Sequence, residues 1–263
     1  MNMRFFGRRK EKTAGALPTG GKSFFPDVPQ AHWSIWNDVR HATMTSAQRV
    51  FALCDAVDYL CREKISGDIV ECGVWRGGSM MAAAKCLLAH GDVGRRLWLY
   101  DTFAGMSQPT VVDVDHCGLS AASLVASPDP KIAESVSCRA ALSDVRRNMS
   151  TTRYPESLTT YVVGDVSNTL RQSANLPTTI ALLRLDTDWY ESTRVELEVL
   201  FPRLVGGGVL VVDDYGHWQG CRRAVDEYLC SNGVSIYLHR IDYTGRIGVK
   251  AVLASPREIN DAA

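Results

Sequence analysis

The sequence carries no excess charge of either sign: 29 lysines and arginines stand against 29 aspartates and glutamates. No global field therefore draws it to nucleic acid or to an anionic membrane, and a small molecule is the expected partner. It also lacks C-x-x-C pairs, although cysteines occur at 54, 61, 72, 86, 117, 138, 221 and 230. Several of them sit inside apolar helical or strand patterns. They read as buried thiols in a reducing cytoplasm, and no structural zinc site is expected. No apolar run approaches the length of a membrane span, and residues 1–12 lack the apolar core of a secretory signal. Internal repeats and low-complexity blocks are absent.

What is present is a chain of 263 residues, 46% hydrophobic, long enough to bury a substantial core. Arg4, Arg8, Arg9, Lys10, Lys12 and Lys22 face a single acid, Glu11, with no apolar period among them. Residues 1–30 therefore read as a mobile basic tail, and residues 31–263 as one domain. Ser46 or Thr45 can cap a helix in which Val50, Phe51, Leu53, Cys54, Val57, Leu60 and Cys61 recur at helical spacing.

Strand and helix then alternate. Strands are predicted over 68–72, 96–100, 158–163, 180–185 and 209–212, and helices over 78–90, 140–149, 193–204 and 220–229. Thr193-x-x-Glu196 has the spacing of a capping box. Such alternation implies an α/β, doubly wound, mostly parallel sheet covered on both faces. The last two predicted strands, 236–241 and 246–253, are separated by Asp242-Tyr243-Thr244-Gly245 alone. That is too short for a crossover, so a hairpin and an antiparallel last strand are required. Residues 107–139 have weak periodicity and many small side chains, the pattern of a lid or insertion over the active edge.

Three features suggest an adenosine-type ligand. The first is Glu71-Cys72-Gly73-Val74-Trp75-Arg76-Gly77-Gly78-Ser79, which follows an apolar strand and opens a helix, where glycines admit close backbone approach and unpaired N–H groups await a ligand. Its G-x-x-x-G-G spacing differs from the dinucleotide fingerprint, and a glutamate ahead of the first glycine suits a cationic amine better than a pyrophosphate. The second is Asp101 at the end of the next strand, where an acid can accept from a ribose diol. The third is Asp165 after Gly164, placed to meet an adenine amino group or simply to cap a turn. A separate acidic set, Asp186 and Asp188 after one strand and Asp213-Asp214 after its neighbour, lies at the same edge. Carboxylates so gathered repel one another unless a divalent cation compensates them, and hard oxygen ligands suit Mg²⁺.

These segments resemble the macrocin O-methyltransferase family, the metal-dependent enzymes that methylate sugar hydroxyls in macrolide and aminocoumarin antibiotics. The resemblance is carried by Val70 to Ser79, by Tyr100-Asp101-Thr102-Phe103-Ala104-Gly105-Met106, by Arg184-Leu185-Asp186-Thr187-Asp188-Trp189-Tyr190-Glu191-Ser192-Thr193 and by Val212-Asp213-Asp214-Tyr215-Gly216. It implies a class I methyltransferase, Rossmann-like, with a seven-stranded sheet. It further implies that Glu71, Gly73, Gly77 and Ser79, with Val74, Trp75 and Arg76 in the same turn, surround the methionine part of S-adenosylmethionine. Asp101 and Thr102 would then lie at the ribose and Asp165 with Val166 near adenine, with Phe103 also among the cofactor-binding residues. Thr43-Met44 would close over the cofactor, with Ser143 touching it.

Asp186, Asp213 and Asp214 match the family's Mg²⁺ ligands, and Asp186 also matches the general base. The acceptor implied is a small molecule with vicinal hydroxyls, methylated in the cytoplasm by a homo-oligomer. The tail and residues 107–130 match nothing recognisable. Catechol-type phenols are an alternative acceptor, a nicotinamide-dependent oxidoreductase an alternative enzyme and a non-catalytic cofactor-binding module a further alternative. His217, a loop histidine after the paired acids, is a second candidate base.

Overall fold

The computed structural model describes residues 25–252. Most of the basic tail expected over 1–30, and the end of the predicted last strand, lie outside that range. Three helices lead in: α1 (Gln30–Val39), α2 (Ala47–Arg62) and, after the first strand, α3 (Gly78–Ala89). Ser46 caps α2 by accepting from the Arg49 N–H at 3.2 Å. The parallel strands are β1 (Asp68–Cys72), β2 (Leu97–Asp101), β3 (Thr159–Val163), β4 (Ile180–Leu185) and β5 (Leu204–Val212). Between β2 and β3 come α4 (Ala121–Val125), α5 (Pro130–Ser137) and α6 (Leu142–Ser150). The remaining elements are α7 (Val166–Thr169), α8 (Tyr190–Leu200), α9 (Gln219–Ser231), β6 (His239–Arg240) and β7 (Arg246–Val249).

The seven strands run in the order β3-β2-β1-β4-β5-β7-β6. Strand β7 is antiparallel to both its neighbours, and the five-residue connection 241–245 demands this of the β6–β7 pair. It lies one position in from the edge, and the two-residue β6 forms the edge itself. The order reverses between β1 and β4, and ligands of open α/β sheets bind beyond the carboxyl ends at such a reversal.

Alternate residues of each strand feed two cores. Ile69, Leu97, Leu99, Leu182, Val209 and Val211 pack with α1, α2 and α3 on one face. Val70, Cys72, Leu183, Leu185, Leu210 and Val212 pack with α8 and α9 on the other. The helix predicted over 193–204 begins a turn earlier, at Tyr190, with Trp189 at its cap. Thr193 is therefore inside the helix and buried, so the capping-box spacing is coincidental; Glu196 accepts from the Thr187 hydroxyl at 2.9 Å.

The segment 107–139 is more ordered than its composition suggests. Asp113, fully buried, accepts from the Tyr190 N–H at 2.8 Å and from Thr110, while Asp115 bridges to Trp218. Trp189 donates from Nε1 to the Ser107 carbonyl at 3.0 Å. The segment is thereby fixed to the starts of α8 and α9, beside the carboxyl edge of the sheet.

Candidate active site

The first residue beyond each central strand is hydrogen-bonded into the ladder. Gly73 N–H donates to Tyr100, Asp186 to Cys72, Asp213 to Leu185 and Gly164 to Asp101, each at 2.9 Å. The loops after β1, β2, β3, β4 and β5 consequently leave from one line. Gly73 has φ +82°, and a Cβ there would overlap the carbonyl oxygen of Asp186. Gly73→Ala adds a left-handed backbone cost of about 1–2 kcal/mol to an overpacking cost of about 1–3 kcal/mol. The expected loss is on the order of 3 kcal/mol, measured by urea unfolding.

The glycine turn is held from two sides. Asp101 accepts from Val74 N–H at 2.7 Å and Trp75 N–H at 3.0 Å through Oδ2, and from Phe103 N–H at 2.7 Å through Oδ1. This carboxylate therefore clamps the turn as well as facing the cleft. Gly77, at φ +88°, caps α3, and Ser79 is buried in its first turn. Asn148 of α6 donates to the Arg76 carbonyl at 2.8 Å, and Arg76 itself reaches the His41 carbonyl at 3.1 Å.

Beside this turn a narrow cleft of about 50 Å³ is lined by Gly73, Asp101, Thr102, Asp165, Val166 and Asp186 among others. Six of the residues expected at the site are thus brought together. Asp165 also caps α7, accepting from Ser167 N–H at 2.8 Å. Thr43, Met44, Val74, Trp75, Arg76, Gly77, Ser79, Phe103 and Ser143 are not in the cleft wall. Thr43 packs against Gly78 in the same turn, whereas Met44 is 49% exposed and Ser143 lies on the exposed side of α6.

Beneath the cleft lies a charged network. Glu71, 1% exposed, accepts through Oε1 from Arg184 at 2.6 Å, while Oε2 is buried without a hydrogen-bond partner among the described residues. Burial pushes the Glu71 carboxyl up to about 7, against the pull of Arg184. The same guanidinium donates to Asp186 Oδ2 at 2.6 Å and to Asp213 Oδ1. Arg49 of α2 takes the other oxygen of Asp213 and reaches Asp242 at 3.0 Å. Burial would raise Asp213, but the two guanidiniums outweigh it and hold that carboxyl below its ordinary value.

Asp186, Asp188 and Asp214 form a tighter set, each offering an oxygen within 4.8 Å of the others. Burial pushes Asp186 and Asp214 well above the usual carboxylate range, and neighbouring acids add to this. Asp214 Oδ2 is buried with no hydrogen-bond partner among the described residues. Six carboxylates, Glu71, Asp186, Asp188, Asp213, Asp214 and Asp242, gather around two guanidiniums. A hard divalent cation fits such an acid set, with Asp186, Asp188 and Asp214 offering oxygens. Both oxygens of Asp213 are engaged by arginines.

Arg184 and Arg49 were not foreseen. The signal for Arg184 was a lone charge inside the apolar run Leu182-Leu183-Arg184-Leu185, a position that a doubly covered strand buries. For Arg49 the sequence offered no signal beyond its place one turn into α2. His217, the second candidate base, is 8% exposed and packs between His116 at 5.0 Å and Trp218 at 4.9 Å, with the Tyr243 hydroxyl 3.3 Å from Nδ1. Arg222 and Arg223 stay at the surface, the latter paired with Glu227 at 2.7 Å. No helix among the described residues is long and apolar enough to cross a membrane.

Comparison with known proteins agrees with this edge. Residues 33–248 match the family described as Macrocin-O-methyltransferase (TylF). The chain is 34% identical to the 8-demethyl-8-(2,3-dimethoxy-alpha-L-rhamnosyl)-tetracenomycin-C 4'-O-methyltransferase of Streptomyces olivaceus, over 90% of this chain and 86% of that relative. It is 32% identical to the mycinamicin III 3''-O-methyltransferase of Micromonospora griseorubida, over 77% of this chain and 76% of that one. Among solved structures, the O-methyltransferase NovP superposes with a TM-score of 0.67 at 31% identity, covering 80% of this chain and 83% of NovP. The sheet is that of a class I methyltransferase, and the chain belongs to the macrocin O-methyltransferase family as an S-adenosylmethionine-dependent O-methyltransferase.

Proposed function

We propose that this enzyme transfers the methyl group to a sugar or polyol hydroxyl of a secondary metabolite, in a reaction that requires Mg²⁺. The observation that carries this reading is the acid set at the ends of β4 and β5, which shares Asp186 with the cleft. Methyl transfer from a sulfonium is an in-line displacement, so the acceptor oxygen must be aligned with the methyl carbon and lose its proton. Glu71 Oε2, buried and unpartnered, receives the cofactor's ammonium group, and Asp101 with Thr102 orients the ribose. Asp186, Asp188 and Asp214, with Asp213 behind them, would hold Mg²⁺, which would supply a Lewis acid that lowers the pKa of the acceptor hydroxyl. Asp186 accepts the hydroxyl proton on its carboxylate. Segment 107–139 covers the acceptor, whose bulk sits outside the sheet edge, and the enzyme works as a cytoplasmic homo-oligomer.

Calorimetric titration with S-adenosylhomocysteine, with Mg²⁺ and with chelator, followed by turnover of glycosides bearing vicinal hydroxyls, tests the reading. Mg²⁺-dependent glycoside methylation supports it. Turnover of catechols alone replaces the acceptor class, and full activity in chelator removes the metal.

Glu71 gives a pH signature. Its folded pKa, about 7, lies above the ordinary 4.5. In the cofactor-free protein its contribution to stability is therefore present below about 4.5 and is lost as pH rises through about 7. Cofactor binding runs the other way, because only the ionised carboxylate compensates an ammonium. The affinity for S-adenosylhomocysteine should tighten as pH rises through 7. In Glu71→Gln that dependence should flatten and affinity fall; a Glu71→Gln variant with an unaltered profile would remove Glu71 from the amine site.

A further inference from the structure

Where α1, α2 and α3 pack together, three helices bring together side chains that the methyl-transfer site does not use. Cys54 and Asp58 stand at i and i+4 on α2, Cys86 and His90 stand at i and i+4 across the end of α3, and His32 comes from α1. Cys54 is fully buried, and Cys86 and His32 are 2% and 4% exposed. One ring nitrogen of His32 and the two sulfurs all lie within 4.8 Å of one another. Both thiols are free. His32 Nε2 is 2.9 Å from Asp58 Oδ2, while Nδ1 is buried without a hydrogen-bond partner among the described residues, its near carboxylate Asp55 being 3.5 Å away. The second oxygen of Asp58 is 2.8 Å from His90 Nε2.

We propose that Cys54, Cys86 and His32 form a binding site for a thiophilic divalent cation of the zinc class at the junction of α1, α2 and α3. Two sulfurs and an imidazole are soft to borderline donors, which select zinc over the hard cation suited to the acid edge. A ligating histidine ordinarily donates its other ring N–H to a carboxylate, and Asp58 already occupies that position against His32. The buried, unpartnered Nδ1 is then the free lone pair. Small shifts bring the three atoms to bonds of about 2.3 Å to sulfur and about 2.0 Å to nitrogen. Binding exchanges two S–H bonds for two S–metal bonds, and both protons leave to solvent. Two thiolates neutralise the dication in the apolar core, and the fourth tetrahedral position falls to a water.

Asp55, Asp58 and His90 give the site a partly exposed polar mouth through which an ion can enter. Cys86 lies about 12 Å along α3 from its first residue, at 1.5 Å per residue, so the site is separate from the glycine turn. The missing C-x-x-C pair pointed away from such a site because its ligands are spread over three helices at helical spacing.

The test uses the full chain, stripped with chelator under reductant and titrated with Co²⁺ and then Zn²⁺. One equivalent of Co²⁺ should give thiolate-to-cobalt charge-transfer absorption and tetrahedral d–d bands, displaced by Zn²⁺, which in turn raises Tm. The all-oxygen acid edge has no thiolate, so Asp186→Asn should leave these bands intact, and their failure is distinguishable from failure of the Mg²⁺ reading. The double variant Cys54→Ser with Cys86→Ser should lose the bands, and Asp58→Asn should weaken cobalt affinity by about 10–100-fold. Should the double variant not fold, sulfur scattering around zinc in X-ray absorption of the wild-type protein decides. Absence of charge-transfer bands in folded, reduced wild type overturns the proposal. So do bands that survive in the double variant, and so does a protein that forms a Cys54–Cys86 disulfide but takes up no metal.

Discussion

Asp186→Asn should lower turnover by about 10²–10⁴-fold while S-adenosylhomocysteine still binds. Four acids stand at this edge, and the geometry separates them. Asp213 is 3% exposed, clamped by two guanidiniums and held ionised, so it has little tendency to take a proton. Asp214 is also buried, and it lies outside the cleft wall. Asp186 alone among the four lines the cleft and keeps 27% of its side chain exposed. Asparagine preserves its shape and its contact distance to Arg184 but cannot accept a proton. The checking measurement is kcat at saturating acceptor and Mg²⁺, beside calorimetry. Wild-type kcat in Asp186→Asn would assign proton removal elsewhere, and His217 would be examined next.

The parts of the site that were legible from sequence are those where one strand's chemistry ends abruptly. Glu71-Cys72-Gly73, Tyr100-Asp101, Gly164-Asp165 and Leu185-Asp186 each mark an apolar run meeting a small or acidic residue, and parallel pairing carries all four to one edge. The terminal hairpin was equally readable, because so short a link permits nothing else. The start of α8 was not, since Thr193 and Glu196 imitate a cap but lie on the buried side of the helix. Nor was the charge balance: it depends on Arg49 reaching across from α2 to Asp213, a contact between residues distant in the chain. Local pattern reports which residues end strands, and only packing reports which cations meet them. The three-helix cluster of His32, Cys54 and Cys86 escaped for the same reason.

Arg184→Met should cost about 3–5 kcal/mol of stability at neutral pH, although methionine fills much of the same space. The guanidinium is buried, and it donates to Glu71, Asp186 and Asp213 at once. Removing it leaves Asp213 with Arg49 as its remaining cation and leaves Glu71 with none of its present partners. The loss should depend on pH in a fixed direction. Asp213 has a lowered folded pKa, so its stabilisation is present above the unfolded value near 3.8 and disappears as pH falls through the folded value. The penalty in Arg184→Met should therefore shrink towards acid pH, where the stranded carboxylates are protonated in both variant and wild type. Adding Asp213→Asn to the variant should recover part of the loss at neutral pH, because one stranded charge is gone. Urea unfolding of the four proteins of that double-mutant cycle, at neutral and acid pH, measures the coupling directly. A penalty equal at both pH values would mean that Arg184 acts by packing, and that the carboxylates are compensated by some other means.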